Sequence, residues 1–363
     1  MSSPDCAARS IAPAFDGPAV AVVFATDANY APYAAATIQS VIRQASPDKN
    51  YDLVLLQTAL PDDDVRKLQS LAANRPNISL RFFDVSAVIA DKIGRLFISA
   101  HLSPVTYYRL FAPAIFEKFA KILYLDVDLI TLADVAALYE TELGDNFLGA
   151  VRDFYAVKDL LARPNGSWTR QVGLRDGASY FNAGVALFNL SQMRAENFES
   201  RWFGYLQRVP KPRLHDQDIL NNCCEGRVKF VDAGWNCQIW GEEINGPLSP
   251  GDLPECFLAE YEASKSAPKI IHYLSQQKPW QLPQLPSASL FWAAAADTPY
   301  YPKLLYNNLK QLNAETRKNK RAFPPLSLKL LFYRLMSLFG SPGWRMYYRD
   351  KGKKIQARQR HGW

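Results

Sequence analysis

Short apolar runs recur along the first half of the chain, each followed by a polar cluster or a helical pattern. Ala19–Ala25, AVAVVFA, is apolar throughout and reads as a buried strand. It ends in the polar cluster Thr26-Asp27-Ala28-Asn29-Tyr30. A helix is expected from Pro32 to Gln44, with proline at its first position. Tyr51–Thr58 is a second strand, and Asp62, Asp63 and Asp64 open a helix to about Ala73, acids at the favourable end of its dipole. Ile78–Val85 is a third strand. Ser103-Pro104 reads as an N-cap with proline at N1, opening a helix that carries Tyr107, Tyr108 and Arg109. The stretch KILYLDVDLIT, Lys121–Thr131, follows, with Ile122–Leu125 as its strand. The order β-α-β-α-β-α-β predicts an α/β fold, a parallel or mixed sheet covered by helices. Ligands of such sheets bind beyond the strand carboxyl ends, where both Asp27–Tyr30 and Asp126–Asp128 fall.

Further on, Phe147–Asp153 predicts a strand, and Asp153–Tyr180 a long loop rich in Gly, Pro, Arg and Trp, a length that is often functional. Phe181–Leu190, FNAGVALFNL, returns to a strand pattern, and a helix is expected from about Ser191 to Arg208. The polar cluster LHDQDILNN, Leu214–Asn222, precedes a short helix. Ile270–Tyr273 is a last short strand, followed by QQKPW, Gln276–Trp280.

Composition changes this picture mainly at the ends. Apolar residues make up 48% of 363, enough for a substantial core. The net charge of +7 hides an asymmetry. From Arg317 onward there are 13 Lys/Arg and one acid, whereas the preceding residues hold 29 Lys/Arg against 34 Asp/Glu. A mildly acidic body with a strongly basic tail points to a polyanionic partner. Residues 1–18 are small, polar and proline-containing and are expected to be disordered. The five cysteines include the adjacent Cys223 and Cys224 and form no C-x-x-C pair, which argues against zinc and for a reducing compartment. No signal-peptide pattern is expected at the N-terminus. No apolar run approaches the ~18 residues of a spanning helix.

The candidate chemistry centres on Asp126 and Asp128. Residues two apart on a strand share a face, so if the strand persists both carboxylates project together. Like charges that close repel, and a hard divalent cation such as Mn²⁺ or Mg²⁺, often shared with a substrate phosphate, relieves them. The plainer alternative is a solvated turn. A third is a haloacid-dehalogenase-like phosphatase, which uses the first Asp of such a pair as nucleophile. There the motif falls on an early strand with Thr or Val two residues after the second Asp, where this chain has Ile130 on about the fourth strand.

Taken together, FATDANY, TYYRL ahead of YLDVDLI, FNAGV, DQDILN and HY-x4-KPW, in this order over roughly Ala19–Trp280, resemble glycosyltransferase family 8. This is the retaining family of bacterial lipopolysaccharide galactosyl- and glucosyltransferases and of glycogenin. The resemblance implies a GT-A fold, a Rossmann-like, mostly parallel sheet flanked by helices over residues 19–316. Residues 317–363 would be a basic amphipathic extension. It implies a UDP-sugar donor and a divalent metal, usually Mn²⁺, held by Asp126, Asp128 and His272. Asp27, Asn29 and Tyr30 would hold the uracil and ribose, and Ala25, Thr26 and Val127 would also belong to the donor-binding residues. The alternative for Asp27 is an Asx turn closing the strand. Arg109 would reach the donor sugar or phosphate. Asn182, Ala183, Asp216 and Gln217 would bind the donor sugar, and Lys278 the departing diphosphate. Ser275, counted with the donor-binding residues, stands where the family often has glycine, three residues after the metal histidine; its hydroxyl would either bond a phosphate oxygen or crowd it.

The implied reaction is hexosyl transfer to a saccharide acceptor hydroxyl with retention. Front-face attack with Gln217 stabilising the oxocarbenium is favoured over a covalent intermediate on Asp218. A non-catalytic nucleotide-sugar-binding protein on the same fold is the alternative. The tail, with Leu326–Phe339 as an amphipathic helix followed by Trp344, Tyr347 and Tyr348 among basic residues, is expected to lie on an anionic membrane. That would place the protein in the cytoplasm, peripheral on the inner face of the cell membrane, beside a glycan or lipid-linked saccharide acceptor. No nucleic-acid partner is expected, since nucleic acid needs no apolar face.

Overall fold

The computed structural model describes residues 9–97, 103–239, 247–274, 278–285, 287–318, 333, 337–338 and 342–360. The predicted strands form the main sheet. β1 (Ala19–Ala25), β2 (Asn50–Gln57), β3 (Ile78–Asp84) and β4 (Lys121–Leu125) run parallel, in spatial order β3-β2-β1-β4. β4 has helices on both sides of its sheet, and Ile122, Leu123, Tyr124 and Leu125 are all buried. That is why the strand reads as a continuous apolar run rather than an alternation.

Past β4 the chain departs from the expectation. The strand stops at Leu125, so Asp126-Val127-Asp128 is not strand. Leu129–Thr131 (β5) instead starts a second sheet. The main sheet is completed by β6 (Leu148–Arg152), β7 (Phe181–Asn189) and β8 (Val228–Phe230), in the order β4-β7-β6-β8. β7 is antiparallel to β4 and pairs Val185 with Leu125. The Asp126 N–H then donates to Gly184 O at 2.8 Å. β9 (Cys237–Ile239) and β10 (Ile270–Tyr273) join β5 in the order β5-β10-β9. β10 is antiparallel to β5 and sets His272 opposite Leu129. This small sheet carries late residues to the edge where β1 and β4 end.

Four predicted segments are corrected. The expected loop 153–180 is mostly helical: Asp153 Oδ1 accepts from Ala156 N–H and caps Phe154–Ala162, and Ser167–Val172 is a second helix. The expected helix 191–208 is two, Leu190–Ala195 and Phe198–Arg208, broken at Asn197 with φ +48°. Residues 9–18, expected to be disordered with the rest of 1–18, are ordered against the body. Ile11 N–H donates to Ile115 O at 2.9 Å, and Ala14 N–H donates to the buried Asp52 carboxylate at 3.0 Å. Ser103 caps as expected, but Pro104–Phe111 is 3₁₀ and continues into Ala112–Ile115 as α-helix.

The chain divides into two compact units, Met1–Tyr301 and Pro302–Trp363. The helix Tyr301–Lys318 runs through the composition change at 316/317. Leu326–Phe339, predicted as an amphipathic helix, lies outside the described residues except for Tyr333, Ser337 and Leu338. Pro342–Arg360 is a helix with Met346 and Tyr347 exposed. Among the described residues, no helix is long and apolar enough to cross a membrane.

Candidate active site

The turn after β4 and the strand β10 bring Asp126, Asp128 and His272 together, with one ligand atom from each lying within 4.8 Å of the others. His272 is 2% exposed. Its Nδ1 lies 3.0 Å from Asn236 Oδ1, and its Nε2 lies 3.2 Å from Asp128 Oδ1 and 3.8 Å from Asp126 Oδ2. Asn236 spends its amide N–H on Asn182 Oδ1 at 2.9 Å. Its oxygen therefore faces the imidazole, which donates from Nδ1 and turns the Nε2 lone pair toward the carboxylates. Two carboxylates and one imidazole suit Mn²⁺ or Mg²⁺. Gly184 of β7 makes the space: a Cβ there would stand 2.2 Å from His272 Cε1 and 2.6 Å from Asp126 Oδ2. The three residues and the bare glycine fit a small cation.

Charge around this cluster is tightly arranged. Lys278 donates to Asp128 Oδ2 at 2.6 Å and to Tyr273 O. Burial pushes the Asp128 pKa up, but the Lys278 ammonium beside it pulls the other way, and the carboxyl lies well below the usual carboxylate range. Arg109, 5% exposed, donates to Asp126 Oδ1 and to Ala183 O, each at 2.6 Å, and lies over the Tyr124 ring at 4.2 Å. Burial alone would lower the Arg109 pKa; Asp126 and Asp216 raise it beyond its ordinary value. Its Nε is 2.9 Å from Asp216 Oδ2 but off the hydrogen-bond axis, so both atoms are buried without a directed partner. Asp216 also accepts from Thr106 Oγ1 at 2.8 Å. Burial raises its pKa above the usual value against the pull of Arg109 and Thr106.

Two cavities meet at this point and share Thr106, Arg109, Asp126 and Asp128. The smaller, 280 Å³, is lined also by Ala25, Thr26, Asp27, Tyr30 and Val127. Asp27 Oδ1 accepts from the Asn29 and Tyr30 N–H groups at 2.9 and 3.0 Å, so the Asx turn is real, in a residue that also lines the cavity. Asn29 is exposed and does not line it. The larger, 670 Å³, takes in Asp153, Asn182, Ala183, Asp216, Gln217 and His272. Ser275 lies outside the described residues.

Gln217 is held by both ends of its amide. Oε1 accepts from Ala183 N–H at 3.0 Å, and Nε2 donates to Asp153 Oδ2 at 3.0 Å. Asn182 Oδ1 accepts from Gly184 and Asn236, and Nδ2 donates to Asp153 Oδ2 at 3.1 Å. That leaves Asn182 one N–H for a ligand. Asp218 is not placed as the sequence suggested. Its carboxylate is fully buried and accepts from Trp168 Nε1, Tyr180 OH and Leu214 N–H at 3.1, 2.7 and 2.9 Å. It lines neither cavity, and its oxygens are taken up by these three donors. Reasoning from sequence missed Asp153, Asn236 and the role of Gly184. Only Gly184 carried a signal, a glycine inside the buried FNAGV run. Trp280 of the KPW run stacks on Tyr33, with centroids 4.0 Å apart, next to Lys278 in sequence.

A family profile for glycosyl transferase family 8 matches residues 21–282, which hold every part of this site. The chain belongs to glycosyltransferase family 8. Its mixed, mostly parallel sheet with flanking helices is the GT-A fold, and the family sets aside the phosphatase alternative. A putative glycosyltransferase of Haemophilus influenzae is 30% identical over 59% of this chain and 62% of that protein. A lipopolysaccharide 1,3-galactosyltransferase of Salmonella typhimurium is 24% identical over 79% and 80%. Among solved structures, the bifunctional glycosyltransferase WbbM without ligands superposes with a TM-score of 0.72 at 31% identity, over 82% of this chain and 53% of that one. The galactosyltransferase LgtC, solved with donor and acceptor sugar analogues, gives 0.65 at 25% identity, over 80% of this chain and 100% of that one. The chain thus spans under two thirds of the Haemophilus relative and about half of WbbM.

Proposed function

We propose that this family 8 member is a metal-dependent hexosyltransferase. It would move galactose or glucose from a UDP-sugar to a saccharide acceptor with retained configuration, in the synthesis of lipopolysaccharide or another surface glycan. The observation that carries this reading is the Asp126–Asp128–His272 cluster at the junction of two cavities, with Lys278 and Arg109 beside it. Asp126, Asp128 and His272 would hold a divalent cation, which supplies positive charge opposite the departing diphosphate. Lys278 would turn its ammonium from Asp128 to the leaving oxygen, where charge develops. The uracil and ribose would lie against Asp27 and Tyr30 in the smaller cavity, and the hexose beyond the carboxylates in the larger. Gln217 Oε1, fixed by the Ala183 N–H, keeps a lone pair for the oxocarbenium while the acceptor attacks from the same face. The burial of Asp218 favours this route over a covalent one.

The test is UDP release from a panel of UDP-sugars with Mn²⁺, with EDTA, and with Asp126→Asn or Asp128→Asn. Release that needs the cation and nearly vanishes in both variants is expected. Full release in EDTA would overturn the metal assignment. UDP binding with no release from any donor would favour the non-catalytic alternative. We further propose that the basic C-terminal unit holds the protein to the inner, anionic face of the cell membrane, near a lipid-linked acceptor. Met346 and Tyr347 exposed on the same helix as Lys351, Lys353 and Lys354 support this.

A further inference from the structure

His215 opens the helix that carries Asp216 and Gln217, and its backbone sits at φ +51°. Few residues other than glycine adopt that left-handed region, and histidine is among those that do so more often. Asparagine or glycine would sit there more easily, so what histidine adds is its ring. The ring lies nearly parallel to Phe97, 10° apart with centroids at 5.9 Å, and edge-on to Tyr107. It lines the 670 Å³ cavity alongside Asp216 and Gln217.

One neighbour fixes the ring's hydrogen-bonding sense. Tyr107 has a single phenolic proton and donates it to Phe97 O at 2.7 Å. Toward His215 Nδ1, 3.3 Å away, the Tyr107 oxygen therefore accepts, and the imidazole donates. A neutral imidazole that donates from Nδ1 carries its lone pair on Nε2. Among the described residues Nε2 has no hydrogen-bond partner. The cavity it lines is the larger one only. The smaller is the one lined by Asp27, Tyr30 and Val127, and the two meet at Arg109, Asp126 and Asp128. On the transferase reading above, the nucleotide fills the smaller cavity, so His215 belongs to the cavity of the saccharides and not to that of the nucleotide.

We infer that His215 Nε2 accepts a hydrogen bond from a hydroxyl of the saccharide acceptor and orients that acceptor beside Gln217. This rests on the transferase reading. The left-handed backbone at His215 accompanies a ring that stacks on Phe97 and lines the cavity.

The test uses the full chain with Mn²⁺, the UDP-hexose it hydrolyses fastest, and a panel of methyl glycosides of galactose, glucose and mannose as probe acceptors. His215→Asn is the informative variant. Asparagine suits the left-handed backbone, and its amide still donates toward Tyr107 but reaches no farther. The ratio of glycoside transfer to donor hydrolysis should fall about tenfold, chiefly through the KM of the glycoside. UDP affinity measured by calorimetry should stay within about twofold. His215→Gln, which places an amide oxygen near the Nε2 position, should recover part of the ratio. An unchanged ratio in His215→Asn, or a loss of UDP affinity in step with transfer, would overturn the inference. So would a wild-type chain that hydrolyses donor but transfers to no glycoside of the panel. Absence of UDP release from every donor would instead overturn the transferase reading itself.

Discussion

Gly184 is the residue on which the cation site most depends, though it contributes no ligand. A methyl group there collides with His272 Cε1 and Asp126 Oδ2, and neither can retreat, since one is buried in β10 and the other held by Arg109. Gly184→Ala is expected to fold, with the ligands spread, and to weaken Mn²⁺ binding by tenfold or more, read by titration of the Mn²⁺ electron-spin signal. Unchanged affinity would show that the ligand set does not need this close approach. Lys278 acts differently. On the proposed transferase reading its ammonium serves the leaving group, so Lys278→Ala should reduce kcat more than it raises the KM for donor. A change confined to KM would make it a ground-state contact. Residues of this kind divide by how much the sequence reveals. Asp126, Asp128, His272 and Lys278 were legible because their neighbours form recognisable runs. Asp153 and Asn236 were not, because a helix cap and a lone amide in a short turn look the same whether or not they orient a ligand.

At the scale of elements, the four parallel strands were legible because each is a short apolar run closed by polar residues. The errors share a cause: local pattern does not register a partner distant in sequence. β4 ends at Leu125 because β5 is drawn into another sheet by β10, whose register with Leu129 no local signal announces. The helix at Phe198–Arg208 starts anew because Asn197 adopts φ +48° and accepts from Ser200 N–H. The helix His215–Cys223 carries the cavity-lining Asp216 and Gln217 at one end and buried Cys223 at the other. Burial raises the Cys223 pKa from 9.0 to about 12, against the weaker pull of Arg201 and Arg208. The folded state therefore keeps a proton that the unfolded chain gives up. The associated stability is fully present below pH 9 and is lost as pH rises toward 12. Within that window the loss is as much as ~1.4 kcal/mol per pH unit for one such group. Urea unfolding between pH 9 and 10.5 should show a shallower decline in Cys223→Ala than in the natural chain. Parallel declines would place the titration elsewhere.

At the scale of the whole molecule, the two compact units divide charge as well as structure. The helix Pro342–Arg360 shows Met346 and Tyr347 beside exposed Lys351, Lys353 and Lys354. Replacing the three lysines with glutamine should weaken binding to phosphatidylserine vesicles at low salt, at about 1 kcal/mol per lysine, and leave UDP release from soluble donor unchanged. Equal vesicle binding by both proteins would sink the membrane assignment. The basic bias was legible in the sequence; the place where the units part was not, because a continuous helix, Tyr301–Lys318, crosses the composition boundary. The small sheet β5-β10-β9 has a consequence in time. His272 pairs across from Leu129, so the first two ligands of the cation cluster are translated long before the third, and the loop between them must close before all three meet. A chain refolding from denaturant should therefore gain its capacity to capture Mn²⁺ only in its last kinetic phase. Ion uptake would then serve as a clock for the completion of the fold, and uptake in the first phase would show that the two carboxylates alone suffice.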